Sequence, residues 1–112
     1  MKRVVIIEDQ RAICDMLAEL VHVMGGFEVV GTFLDGESGV EAILKLKPDV
    51  AIVDLVLPGM SGVEVLHKIA DACPTVKTLV FSGQGSPRNV KEVLAAGADG
   101  YVVKTDGFDE FR

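Results

Sequence analysis

Short apolar runs in this chain end on polar residues that can do chemistry. Residues 4–7 run into Glu8 and Asp9, residues 50–53 into Asp54, residues 78–81 into Ser82 and residues 101–103 into Lys104. If these ends meet, three carboxylates, one hydroxyl and one amine share a small space. Carboxylates within a few ångströms repel each other, and without a compensating cation at least one is driven to hold a proton. A divalent cation removes that conflict. An all-oxygen donor set suits Mg²⁺, which keeps several of its waters. The metal can then bridge a carboxylate and an incoming phosphoryl oxygen. Phosphoryl transfer needs mainly positioning and charge neutralisation, and a carboxylate is an accepted covalent nucleophile for it. Lys104 would neutralise a second phosphoryl oxygen, and the Ser82 hydroxyl would donate to a third.

Each residue also has an ordinary structural reading. Asp9 can be the N-cap of a following helix, where Asp is favoured. Asp54 can belong to a turn before Leu57-Pro58-Gly59, and Ser82 to a turn with Gly83. Lys104 can be a solvated charge. The joint pattern outweighs these readings, because four separate segment ends carry complementary groups.

The elements that must position these residues follow from the hydrophobic pattern. The apolar runs are residues 4–7, 27–30, 50–53, 78–81 and 101–103. The first, third and fourth are rich in β-branched residues and lack polar alternation, as strands buried on both faces do. Ile13, Met16, Leu17, Leu20, Val21 and Met24 form one helical stripe, and Gly25-Gly26 ends it as a left-handed cap would. Val40, Ile43, Leu44 and Leu46 form a second stripe, stopped by Pro48. Ser61-Gly62-Val63-Glu64 has the form of a capping box, with Val63, Leu66, Ile69 and Ala70 on the inner face of its helix. Ser86-Pro87 reads as an N-cap followed by Pro at the first helical position. Val90, Val93 and Leu94 carry the fourth stripe, which Gly97 ends. Phe108 and Phe111 open a fifth helix that the chain cuts short. Repeated strand–helix units imply a parallel sheet with helices on both faces, connected by right-handed crossovers. The expected architecture is α/β: a flavodoxin-like, doubly wound, five-stranded parallel sheet in the order 2-1-3-4-5. Such sheets bind ligands at the carboxyl ends of their strands, near the switch in strand order.

Bulk composition narrows the function classes. The 112 residues, 49% of them apolar, suit one domain with one core, read as residues 1–112. No run approaches the ~18 apolar residues that suggest a membrane span. Met1-Lys2-Arg3 has the basic residues of a signal peptide, but Glu8 and Asp9 interrupt the apolar run and no cleavage site follows. The expectation is a cytoplasmic protein whose start is the start of the fold, with no membrane partner. Seventeen acidic against eleven basic residues give a net charge of −6, which argues against direct binding to nucleic acid. Cys14 and Cys73 have no Cys or His at metal-ligand spacing and read as small buried apolar residues.

With these residues in view, the whole chain resembles a response-regulator receiver domain of two-component signalling. The resemblance is carried by the segments 4–9, 47–55, 57–62, 79–82 and 97–101, and by Lys104. It implies that Asp54 accepts a phosphoryl group from a phosphohistidine of a sensor histidine kinase or phosphotransfer protein. It implies that Asp9 ligates Mg²⁺ directly, Glu8 through water, and the backbone carbonyl of Val56 completes the metal site beside Asp54. Ser82 would then move toward the phosphoryl group, Tyr101 would rotate inward, and Lys104 would pair with Asp54 or its phosphorylated form. The result is a ligand-driven two-state switch. The stretch 100–105 is similar to receivers joined to helix-turn-helix DNA-binding domains. That implies transcription as the output and DNA contact only through an output domain absent from this chain. A homodimer through the helix 4–strand 5–helix 5 face is a further expectation, because a short fifth helix leaves one sheet face partly uncovered.

Departures from the family pattern are Glu8, where Asp is frequent, and Thr105, where Pro often follows the lysine. Val56 and Gln84 would flank the phosphoryl group. Apolar Val56 cannot position an attacking water, whereas the Gln84 amide could; the expectation is an aspartyl phosphate that lasts minutes or more. Three rival readings fit the residues less well. A haloacid-dehalogenase-like phosphatase would carry a second Asp where Val56 stands. A nucleotide-binding module would carry a glycine-rich phosphate loop after strand 1. A receiver-like interaction domain working without phosphorylation has no need of the acids, Ser82 and Lys104.

Overall fold

The computed structural model describes residues 1–55, 57–82 and 87–103, the side chains of residues 82, 87–90 and 103 excepted. Five strands and four helices alternate along them: β1 (Lys2–Ile7), α1 (Arg11–Met24), β2 (Phe27–Phe33), α2 (Gly36–Leu46), β3 (Val50–Val53), α3 (Gly62–Ala72), β4 (Lys77–Ser82), α4 (Pro87–Ala95) and β5 (Gly100–Val103). All pairings are parallel and the sheet order is β2-β1-β3-β4-β5. The expected doubly wound order is therefore the observed one. The proposed fifth helix lies outside the described residues.

β1, β3 and β4 are buried on both faces, which explains their unbroken apolar runs, while the edge strand β2 is only half-buried. Val5, Ile7, Ala51 and Val53 face Val40, Ile43, Val65 and Ile69 of α2 and α3. Their alternates Val4, Ile6 and Ile52 pack with Phe81 against Cys14, Leu17 and Val21 of α1. A third cluster joins Leu66 of α3, Val80 of β4 and Val93 of α4. Both cysteines are buried, as expected.

The helical stripes are narrower than the sequence suggests. Met24, Leu44 and Leu94 are exposed, because each lies at the flank of its apolar arc. On α3 the inner face is Val65, Leu66 and Ile69, while Val63 is half-buried and Ala70 exposed. Gly62 is also buried, close against the backbone of Asp54 and Leu55 just beyond β3. β2 extends to Phe33, beyond the expected end at residue 30. The pairing skips Val30, since Val4 faces Val29 and Val5 faces Gly31. This irregularity in an edge strand disturbs the alternation that marks a strand in sequence.

Helix ends follow local chemistry. Gly25 has φ 75° but ψ 152°, so it breaks α1 with an extended rather than a left-handed helical conformation. Lys47 caps α2 at φ 46°, ψ 62°, where the following Pro48 disfavours a further helical residue. The Ser61 hydroxyl accepts the Glu64 N–H at 3.2 Å, the predicted cap of α3. Asp35 caps α2 without having been foreseen: its carboxylate accepts the Ser38 N–H at 2.8 Å and the Ser38 hydroxyl at 3.0 Å. Asp35→Ala should lower stability by about 1 kcal/mol, read as a lower urea midpoint at unchanged slope.

Candidate functional site

The order of the sheet reverses between β1 and β3, where the acidic residues emerge. Ile7 pairs with Val53 at the end of the β1–β3 ladder. The Asp54 N–H donates to the Ile7 carbonyl at 2.9 Å, and the Glu8 N–H donates to the Phe33 carbonyl at 2.9 Å. The backbone thus stays tied to neighbouring strands up to the residues that carry the carboxylates. One carboxylate oxygen each from Glu8, Asp9 and Asp54 lies within 4.8 Å of the others. Glu8 and Asp54 are buried, at 1% and 5% exposure, while Asp9 is open to solvent.

The N-terminus of α1 orders one of these acids and places another. The Gln10 N–H donates to Glu8 Oε2 at 3.1 Å. Gln10 itself is the N-cap of α1, so Asp9 precedes the cap position. The capping reading of Asp9 is set aside, and its carboxylate joins the cluster.

The donor set fits a hard divalent cation. It offers anionic oxygens only, two from buried side chains and one from the rim. Two ionised carboxylates at that spacing repel by roughly 3 kcal/mol at an effective dielectric of about 20, and a dication turns the repulsion into attraction. Glu8, Asp9 and Asp54 are the residues that would hold Mg²⁺.

The rest of the predicted constellation is placed in part. Ser82 pairs with Val103 across β4 and β5, so its backbone stands at the same carboxyl edge. The Ser82 side chain, Val56, Gln84, Lys104 and Thr105 lie outside the described residues. Tyr101 faces Val80 in the ladder and packs, half-buried, against the cluster of Leu66, Val80 and Val93.

One residue near the site has a role beyond the capping motif in which it was read. The Gly62 N–H donates to the Leu55 carbonyl at 2.8 Å. A Cβ there would lie 2.6 Å from the Asp54 carbonyl oxygen and 2.6 Å from Leu55 Cα. Glycine at the first position of a helix is a poor helix former, and that mismatch is the signal of a close backbone approach.

Cys14 sits on α1 near the acids. Burial pushes its thiol above the ordinary value, against a lowering hydrogen bond with Thr32; the carboxylates of Asp15 and Glu8 raise it further. The unfolded chain therefore ionises this thiol first. Its contribution to stability is present below the unfolded value and is lost as pH rises through the folded one. Cys14→Ala should flatten the fall in stability as pH rises above the ordinary thiol value of about 8.5, measured by urea denaturation across pH.

A doubly wound parallel sheet with an acidic, metal-competent pocket at its switch point defines a class of α/β signalling domain. The chain belongs to the response regulator receiver domain family, whose profile matches residues 4–112. It is 34% identical over 103 residues to the chemotaxis protein CheY of Thermotoga maritima, covering 92% of this chain and 85% of that protein. It is 33% identical to the nitrate/nitrite response regulator protein NarL of Escherichia coli K12, covering 90% of this chain and 47% of NarL. The chain therefore spans about half the length of that regulator. Among solved structures, the signal receiver domain of NarL from Mycobacterium tuberculosis superposes with a TM-score of 0.88 at 30% identity, over 92% of this chain and 83% of that one. Among the described residues, no helix is long and apolar enough to cross a membrane.

Proposed function

We propose that this chain takes a phosphoryl group onto Asp54 from a sensor histidine kinase or phosphotransfer protein and switches conformation to control an output. The observation that carries the reading is the carboxylate cluster, with Asp54 and Glu8 buried and Asp9 exposed beside them. An Asp54 carboxylate oxygen forms the new bond to phosphorus. The bond from phosphorus to the donor imidazole nitrogen breaks, and its electron pair stays on the imidazole. Bound Mg²⁺ would supply the charge neutralisation that lets an anionic phosphoryl group approach three acids. The Lys104 ammonium would balance a second phosphoryl oxygen and the Ser82 hydroxyl would donate to a third. Tyr101, seated between α4 and β5, would carry the change to the α4–β5 surface.

Residues 1–112 act in this reading as one receiver unit. Relatives about twice its length that are named transcriptional regulatory proteins, DegU of Brevibacillus brevis and LiaR of Bacillus subtilis, support transcription as the output. A net charge of −6 assigns any DNA contact to a separate output domain. Dimerisation would use the face of α4, β5 and the expected fifth helix.

The test is incubation with a small phosphodonor followed by intact-mass measurement. The protein should gain the mass of one phosphoryl group with Mg²⁺ and none with a chelator. Absence of any gain across Mg²⁺ concentrations would support an interaction domain working without phosphorylation. The modified form should persist for minutes, because Val56 offers no hydrogen bond to an attacking water; decay within seconds would contradict that.

A further inference from the structure

Two aspartates at the opposite edge of the sheet make the same unusual contact. Asp49 stands immediately before β3. Its carboxylate accepts the Arg3 N–H at 2.7 Å, while its own N–H donates to the Arg3 carbonyl at 2.9 Å. Asp99 stands immediately before β5. Its carboxylate accepts the Thr78 N–H at 2.8 Å, while its own N–H donates to the Thr78 carbonyl at 2.8 Å. Each Asp thus clasps one residue of the adjacent strand in both directions. The side chain supplies the acceptor that the incoming turn fails to present.

The spacing ties both clasps to the site. β3 and β5 have four residues each. Asp54 follows Asp49 by five positions, and Lys104 follows Asp99 by the same five. At about 3.3 Å per residue, the Asp49 clasp sits roughly 16 Å from Asp54. So short a strand has few ladder bonds with which to hold its register. A slip of one residue would turn every side chain to the other face and move Asp54 or Lys104 along the strand axis.

We infer that Asp49 and Asp99 are positioning residues: register pins that hold β3 and β5 in step with their neighbours, so that Asp49 sets how far Asp54 projects at the phosphoryl-accepting edge. The inference rests on the proposed function, and it separates from it experimentally. All three acids of the metal site follow β1 and β3. Asp49 therefore controls metal geometry, whereas Asp99 sets β5, the strand that leads in sequence to Lys104.

The test compares Asp49→Ala, Asp49→Asn, Asp99→Ala and Asp99→Asn. Mg²⁺ affinity is read by calorimetry, phosphorylation by a small phosphodonor is followed by intact mass, and amide exchange is followed at Arg3 and Thr78. Asp49→Ala should weaken Mg²⁺ binding and slow phosphorylation, each by about tenfold, as displacement of reacting groups does. Asp99→Ala should slow phosphorylation by a similar factor and leave Mg²⁺ affinity unchanged. Both Asn variants keep an acceptor oxygen and should stay within about twofold of wild type, a neutral bond being weaker than a charge-assisted one. If Asp49→Ala does not fold, Asp49→Glu serves, with its charge kept and its acceptor displaced by one methylene. General loss of stability would shift Asp49→Ala and Asp99→Ala alike, and that outcome overturns the pins. Equal behaviour of Ala and Asn at either position overturns them too. A wild type that neither binds Mg²⁺ nor gains mass sinks the proposed function instead. The pins are then judged by faster exchange of the Arg3 and Thr78 amides in the Ala variants, and unchanged exchange refutes them.

Discussion

Asp54→Asn is expected to abolish the gain of phosphoryl mass and, in metal-free buffer, to raise the melting temperature. Both effects come from the same oxygen. The amide is no nucleophile toward phosphorus, so acceptance should fall below detection rather than slow. The substitution also removes one of three carboxylates whose oxygens lie within 4.8 Å of each other. A pair at that distance repels by roughly 3 kcal/mol at an effective dielectric of about 20. Solvent screens the open Asp9 carboxylate and the expected pairing with Lys104 offsets part of the repulsion, so the net gain should be about 1 kcal/mol, or roughly 5 °C for a domain of this size. Mg²⁺ should erase the difference. A ligand at one hundred times its dissociation constant stabilises the wild type by about 2.7 kcal/mol, and the variant, short of one anionic donor, should gain less. Thermal denaturation of both proteins with and without Mg²⁺ checks this. A variant that melts lower than wild type without metal would mean that Asp54 is held by partners whose attraction exceeds the repulsion of its neighbours. A variant that still gains mass would move the acceptor to another residue.

The fold was legible because buried parallel strands write themselves as unbroken apolar runs. Residues 50–53 match β3 at both ends, and 4–7 and 78–81 fall within β1 and β4. β2 was read short because the skipped residue at Val30 breaks the alternation and Gly31 follows it. The three acids were legible for a related reason: each directly follows a run that must be buried, so its polarity marks the strand end. Two kinds of information were not legible in the residue pattern. Helical periodicity names an apolar arc but not its width, so Leu44, Leu94 and Met24 were assigned inward although they lie at the flanks. Backbone approach leaves almost no trace in a hydrophobic pattern. Asp49 and Asp99 read as loop polarity, and Gly62 as one letter of a capping motif.

Gly62→Ala should show what that letter holds in place. Two effects oppose each other. Alanine is about 1 kcal/mol the better helix former, which would favour α3. Against this, the new methyl carbon would lie 2.6 Å from the Asp54 carbonyl oxygen, 2.6 Å from Leu55 Cα and 2.8 Å from the Leu55 carbonyl oxygen. All three are backbone atoms of the segment that carries Asp54, and none can turn aside by changing rotamer. Overpacking of this kind costs typically 1–3 kcal/mol and sometimes more. The collision should win, leaving a net loss of about 2 kcal/mol and a melting temperature lower by roughly 10 °C. Gly36→Ala is the matched control. Its methyl would meet Val65 Cγ2 at 2.9 Å and Met60 Cβ at 3.1 Å, side-chain atoms that can shift, so its loss should be smaller. The decisive readout is Mg²⁺. The segment relieves the collision by moving away from α3, which carries Asp54 out of register with Glu8 and Asp9. Gly62→Ala should therefore lose most of its stabilisation by Mg²⁺, whereas Gly36→Ala keeps it. Equal retention in both variants would show that α3 retreats instead and that the carboxylate cluster is held by β1 and β3 alone.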